Sequence, residues 1–284
     1  MNNDKIGPKG ENWLVVGNEM RSIPAFIITM LNSHESVASA RECVKSIDNT
    51  KSYLNPVLFR ATTPDTIVED ISFHLNEYED KLLTLAGLPR YTWPVTAAQD
   101  GLDLKTGLYR KHYKTNDINK VIACAVSHMR LWQMCYEMNV HIVVLEHDAR
   151  FIRQTKPRWF TYEKEIVDKY PHTDIWYKGL VGLNDPRGAT RRSMIYHNKV
   201  EGKVGCRPVP SVQQPGEEPV PEGLAGNSAY CISPSAAKQL LEATAEHGIW
   251  PNDAIMNKQM FPWIQQYWPY CSVVDRSRRS TTTQ

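Results

Sequence analysis

Val140-His141-Ile142-Val143-Val144-Leu145-Glu146-His147-Asp148-Ala149-Arg150-Phe151 is the stretch that decides the fold. Four consecutive aliphatic residues, Ile142 to Leu145, read as a short strand buried on both faces, the kind found inside a parallel sheet. The run ends abruptly in charge, and open α/β sheets present their ligands at the carboxyl ends of strands. Glu146 and Asp148 stand two apart, so an extended backbone points them the same way and lets them share a divalent cation, while His147 points to the other face. An isolated acid-x-acid also arises from turn and helix-capping preferences. What precedes it therefore matters.

Just upstream, Ile118, Ile122, Ala125, Met129 and Trp132 recur at helical spacing. Thr115 is the expected N-cap and Asp117 suits the first turn. Small residues from Ala123 to Ser127 let this helix press closely on a sheet. Working outward, Ala25–Ile28 reads as the opening strand, followed by polar Asn32–Ser36 and a helix from Val37 to Ile47. Pro56–Phe59 reads as the second strand, the stretch from Pro64 to Gly87 has helical character, and Pro89–Lys114 reads as irregular. Further strands are expected at Asp174–Tyr177 and at Ala229–Ile232. The latter runs into Ser233-Pro234, an N-cap with proline at the first helical position, and a helix to Ala245 that stops near Gly248. A short helix follows Asp253, and a tail runs from Ser272 to Arg276. This alternation predicts an α/β domain with a mostly parallel central sheet and helices on both faces. Residues 1–24 read as a polar leader and 25–284 as the domain. The segment 183–223, rich in Pro, Gly, Arg and Glu, reads as a long irregular stretch that orders over an acceptor.

Composition narrows the function classes. At 284 residues, 42% hydrophobic and 23% charged, the chain can bury a substantial core. A net charge of +2 does not by itself mark a nucleic-acid binder. Basic residues do fall among rings or in polar loops: Tyr109–Lys114, Lys156–Phe160, Arg187, Arg191, Arg192, Arg276, Arg278 and Arg279. Such runs track phosphate or simply lie solvated on the surface. The six cysteines form no C-x-x-C pair, which predicts a reduced, intracellular protein. No segment reads as a membrane span and Met1–Lys5 does not open a signal peptide, so a cytoplasmic location is expected, in the host cytoplasm if the chain is viral.

Three segments in order resemble glycosyltransferase family 25, which includes lipopolysaccharide and collagen galactosyltransferases. They are Ile122–His128, Ile142–Asp148, and Gly226–Lys238 with Trp250-Pro251-Asn252-Asp253 behind it. The resemblance implies a GT-A-like nucleotide-binding domain that uses Mn²⁺ or Mg²⁺ to hold a sugar nucleotide. His147 stands where an aspartate is common in the family, which leaves Glu146 and Asp148 as the same-facing pair and puts the metal's identity in question, because an imidazole turned inward recruits softer ions. The family's N-L-x-x-R pattern is missing, with Asn32 and Arg41 as approximate counterparts.

The implied activity is transfer of a sugar from a nucleoside diphosphate sugar, a UDP sugar by expectation, to an acceptor hydroxyl with inversion. Asp148 is the expected metal ligand with Glu146 assisting, and Asp253 the base that takes the acceptor's proton. Donor contacts are expected from Asn32, Arg41, Ser127, His128, His147, Gly226 and Asn227. Acceptor contacts are expected from Trp250, Arg191, Arg192, Arg276, Arg278 and Arg279. The scattered basic and aromatic runs tilt the acceptor toward a hydroxymethylated base in DNA. The alternatives are a saccharide in lipopolysaccharide or another glycan, and a non-catalytic sugar-nucleotide or glycan-binding protein.

Overall fold

The computed structural model describes residues 14–15, 23–155, 179–187, 191–224 and 227–275. In chain order the strands are β1 (Leu14–Val15), β2 (Ile23–Thr29), β3 (Leu54–Arg60), β4 (Gly101–Asp103), β5 (Leu108–Arg110), β6 (Ile142–Glu146), β7 (Ala149–Phe151), β8 (Leu180–Gly182), β9 (Gly205–Pro208), β10 (Ala229–Ile232), β11 (Ile264–Trp268) and β12 (Ser272–Val274). The helices are α1 (His34–Asn49), α2 (Ile67–His74), α3 (Glu79–Leu82), α4 (Ile118–Met138), α5 (Arg191–Val200), α6 (Pro234–His247) and α7 (Asn252–Ile255). The expected strand Asp174–Tyr177, the Lys156–Phe160 run, most of the polar leader, Gly226, Arg276, Arg278 and Arg279 lie outside the described residues.

One eight-stranded sheet runs in the order β1-β3-β2-β6-β10-β8-β11-β9. β2 pairs parallel with both β3 and β6, and β8 pairs parallel with β11. Because β10 is antiparallel to both β6 and β8, those two point the same way as β2. Five strands therefore share a direction, and β1, β9 and β10 run against them. The mostly parallel α/β sheet read from the sequence is present, with one reversed strand at its centre.

Burial explains the arrangement. Ile142, Val143, Val144 and Leu145 are all fully buried because the pleat sends Ile142 and Val144 to one face and Val143 and Leu145 to the other, and both faces are covered. Each such side chain contributes about 1.5–3 kcal/mol over leaving it in water. On one face α4 and α6 pack; on the other lie Ala40, Cys43, Val44 and Ile47 of α1. α4 is buried on almost every side from Val121 to Cys135, as befits a helix clasped between sheet and neighbouring helices.

Several expectations need correction. The N-cap of α4 is Asp117, whose carboxylate accepts from the Asn119 amide at 3.0 Å; Thr115 sits before it, its hydroxyl accepting from the Asp117 amide. Pro89–Lys114 is not wholly irregular, since β4 and β5 form a hairpin there. The segment 183–223 contains α5 and also β9, which pairs with β11 at the sheet edge. β11 itself escapes a hydropathy reading because Gln265 and Gln266 are buried in it; the Gln266 amide satisfies itself by donating to the Gly182 and Asn184 carbonyls. The β10-to-α6 passage is as read: Ser233 caps the helix through the Ala236 amide, Pro234 is its first residue, and Gly248 ends it at φ 90°.

Candidate active site

The carboxyl end of β6 meets three other elements. The Glu146 amide donates to the Ser228 carbonyl just before β10 (2.8 Å), which pins the strand end beside Asn227. β6 stops at Glu146, and His147-Asp148 form a turn into β7. The alternation of an extended strand therefore does not carry on to Asp148. The two carboxylates are near each other because the turn folds back. Burial, reinforced by the charge of Glu146, raises the Asp148 carboxyl to about 7 against the opposing pull of Arg150. Its Oδ1 is buried with no hydrogen-bond partner among the described residues. That is an unusual state for a carboxylate oxygen, one that a proton or a cation would relieve.

His147 does not share that side. It lies within hydrogen-bond reach of the Ile28 backbone and near Glu35 of α1, and burial lowers its pKa, with Arg150 adding to the effect and Glu146 opposing it. Arg150 is tied down by the His147 and Ala149 carbonyls, the Ser39 hydroxyl and Asp275, the last at 3.0 Å.

From the other side α4 contributes Cys124 and His128, four residues apart and so on one helix face. His128 is fully buried: its Nδ1 lies 2.8 Å from the Tyr230 hydroxyl, which also accepts from Trp132 Nε1, and its Nε2 lies 3.1 Å from the Asn252 side-chain nitrogen. Glu146 Oε1 is 3.6 Å from Nε2, and Cys124 Sγ completes a set of three ligand atoms all within 4.8 Å of one another. Ser127, beside His128, is saturated by protein: it donates to the Ala123 carbonyl and accepts from the Thr62 amide, both at 2.9 Å.

Asp253, in the first turn of α7, is drawn to this cluster. The Tyr113 hydroxyl donates to its Oδ1 at 2.5 Å. Burial raises the Asp253 pKa and the charge of Glu146 adds to it, while the Tyr113 hydrogen bond and His128 oppose. Cys124 is held well above an ordinary thiol by burial first and then by Glu146, Asp253 and Asp148. The thiol thus stands in the field of all three carboxylates, joining the β6 end to the α7 start. Gly223 lets its own segment lie tight against α7, because a Cβ there would strike the Met256 and Asp253 carbonyls.

Asp253 also borders a cleft of about 480 Å³ whose walls include Trp93, Lys111, Tyr113, Arg192, Tyr196 and Glu222. Arg192 lines it, bonded to Glu217 at 3.0 Å with its Nη1 buried and unpartnered. Trp250 does not reach it. It is 1% exposed, packs edge-on against Trp93 with centroids 5.1 Å apart, and spends its indole N–H on Thr92. Of the two indoles, Trp93 lines the cleft, beside Tyr113 and Tyr196, and Trp250 packs against it. Asn32 and Arg41 are exposed, in the turn after β2 and on α1. Asn227 is 5% exposed with both amide atoms unpartnered, beside Glu146. Of Arg191 only its place at the start of α5 is described. Sequence reasoning gave no site role to Cys124, Tyr113 or Trp93; the Cys124–His128 spacing of four and the place of Tyr113 in the basic and aromatic run Tyr109–Lys114 were the signals it held.

The family model described as glycosyltransferase family 25 (LPS biosynthesis protein) matches residues 103–256, which span β4 to α7 and every group just described from Tyr113 to Asp253. The chain belongs to glycosyltransferase family 25. No curated protein matches it. Among solved structures, mouse xyloside xylosyltransferase 1 in its apo form is similar at 10% sequence identity and a TM-score of 0.33, over 86% of this chain and 81% of that one. A likeness that shallow carries no weight for the site. Among the described residues no helix is long and apolar enough to cross a membrane.

Proposed function

We propose that this glycosyltransferase moves a sugar from a nucleoside diphosphate sugar, a UDP sugar, to the hydroxyl of a saccharide acceptor with inversion. The observation that carries the reading is Asp253: a carboxylate on the wall of an open cleft, held by Tyr113, and within electrostatic reach of the acidic end of β6. A base in that position takes the proton as the acceptor hydroxyl attacks, and its raised pKa brings it closer to the pH at which it works. Tyr113 steers the carboxylate by occupying one oxygen, leaving the other for the acceptor.

The β6 turn suits the donor. Asp148, whose Oδ1 lacks a partner, and Glu146 would hold Mg²⁺ or Mn²⁺, which supplies Lewis-acid neutralisation of the departing diphosphate. Asn227 offers one amide donor and one acceptor to the ribose or diphosphate. Gly226 belongs to the same proposed contact. Asn32 and Arg41 are proposed at the exposed rim, while His128 and Ser127, already saturated, would support the donor site through Asn252 and the Thr62 loop. In the cleft Trp93 offers a ring for sugar stacking and Arg192 a guanidinium for an acceptor oxygen, with Arg191, Arg276, Arg278 and Arg279 as further acceptor contacts.

A saccharide is preferred to hydroxymethylated DNA because a net charge of +2 gives no strong polyanion signal and Arg187, one of the arginines that suggested one, is paired with Asp185. The test is mass spectrometry of oligosaccharide and hydroxymethylated-DNA acceptors after incubation with a panel of UDP sugars and Mn²⁺, beside UDP release. Sugar-modified oligosaccharide supports the proposal. Modified DNA, with affinity for a labelled duplex that falls steeply as salt rises, moves the acceptor to DNA. Donor binding with neither hydrolysis nor transfer makes the chain a binding protein.

A further inference from the structure

We propose that Cys124, His128 and Glu146 form a binding site for a thiophilic divalent cation such as Zn²⁺ or Co²⁺, distinct in chemistry from an all-oxygen site for Mg²⁺ or Mn²⁺. The three ligand atoms converge within 4.8 Å of one another from two elements, α4 and the end of β6. Zinc bonds of about 2.0 Å to nitrogen and oxygen at a tetrahedral angle set those two atoms roughly 3.3 Å apart. Nε2 of His128 and Oε1 of Glu146 are already 3.6 Å apart, so closing on an ion needs only a small side-chain movement.

The second sphere is built as well. A histidine that ligates through Nε2 must keep its proton on Nδ1 and give it to a partner that fixes the ring. With a cation on Nε2 the proton belongs on Nδ1, where the Tyr230 hydroxyl lies 2.8 Å away to receive it, and the two rings stack with centroids 5.7 Å apart. Tyr230 is in turn held by Trp132 Nε1 at 2.8 Å. The ligand face of the ring is therefore preset, with a weakly held amide in front of it. One thiol, one imidazole and one carboxylate make three protein ligands and leave the fourth position open, facing Asn252 at the start of α7. On binding, the thiol releases its proton to solvent and the thiolate joins the ion. Soft sulfur among the ligands selects against Mg²⁺. Because Glu146 cannot serve two ions fully, occupancy here would compete with an ion on Asp148.

The test uses the full chain, freed of metal by chelation, titrated with Co²⁺ and then Zn²⁺. Expected are an intense near-ultraviolet thiolate-to-cobalt charge-transfer band and visible bands of tetrahedral strength, both erased by Zn²⁺ and untouched by excess Mg²⁺. Cys124→Ser should abolish the charge-transfer band, Cys135→Ala should keep it, and His128→Gln should weaken cobalt binding by roughly tenfold or more. Should Cys124→Ser fail to fold, the unmodified chain answers: Zn²⁺ should slow alkylation of Cys124, mapped by mass spectrometry, by about tenfold or more, and Mg²⁺ should not. No charge-transfer band, a band that survives in folded Cys124→Ser, or equal alkylation with and without Zn²⁺ overturns the site. The inference shares Glu146 with the proposed reaction but not its outcome. Cobalt binding through Cys124 without any sugar transfer would sink the reaction and leave the cation site standing.

Discussion

Asp70 and Asp148 both lose water on folding, and their surroundings are opposite. Asp70, in α2, is 1% exposed and meets Arg60 at 2.5 Å, Arg130 at 3.3 Å and the Thr66 hydroxyl at 3.1 Å. Burial alone would raise its pKa, but Arg130, the Thr62 hydroxyl and Arg60 outweigh it and hold the group below its ordinary value. Asp148 faces Glu146 and an opposing Arg150 already committed to backbone carbonyls and Asp275, and ends with one oxygen unpartnered. Loss of water pushes both pKa values up, and the partners each group gains decide the direction of the net shift. A fully partnered carboxylate ties β3, α2 and α4 together, whereas an under-partnered one is poised for a ligand.

The sharpest way to break that contrast is to remove one group of each kind. Asp253→Asn, in the under-partnered set, should cut turnover by about 10²–10⁴ while leaving donor affinity and the urea midpoint near those of the parent. Kinetics at saturating donor, with donor binding by calorimetry, decide it; donor binding lost with turnover intact would make Asp253 a donor ligand. Asp70→Asn should do the reverse, costing about 3–5 kcal/mol of stability by leaving Arg130 buried without its partner. Urea unfolding reads this directly, and an unchanged midpoint would remove Asp70 from the structural frame.

Asp148→Asn should weaken divalent-cation and donor binding yet leave the chelated protein as stable as the parent or slightly more so, because a charge without partners is deleted. pH separates the pair further. Asp70, with its lowered folded pKa, stabilises above the ordinary carboxylate value of about 3.9 and loses that contribution as pH falls through the folded value. Asp148 has the opposite sign. The folded form keeps a proton that the unfolded chain has released, so stability should decline as pH rises from about 4 to about 7. In chelated protein Asp148→Asn should flatten that decline, and a series of urea midpoints across pH checks it. The smallest effect is expected from His147→Asp, since His147 turns toward Ile28 rather than toward the unpartnered oxygen; a large change in metal preference would contradict that placement.

Some of this was legible in the chain. The fully buried run Ile142–Leu145, the helical repeat from Ile118, and the Ser233-Pro234 helix start announce themselves through short-range pattern. β11 did not, because Gln266 is satisfied in the core only when the Gly182 and Asn184 carbonyls arrive to receive its amide. α5 and β9 were hidden in a segment whose prolines, glycines and charges look like loop. Trp250 looked like a stacking ring until Trp93, 157 positions earlier in the chain, took its face.

By itself the sequence determined the layered α/β frame, the family, and the fact that acid stands at the exit of the central strand, since periodicity, capping and motif order are properties of neighbouring residues. Only the tertiary structure decided which acids acquire partners. Tyr113 reaches Asp253 across 140 positions, Arg130 reaches Asp70 across 60, and Cys124 with His128 is brought to Glu146 by helix packing. A carboxylate's charge state depends on the water it loses and the groups it gains, and both are fixed by contacts between remote segments.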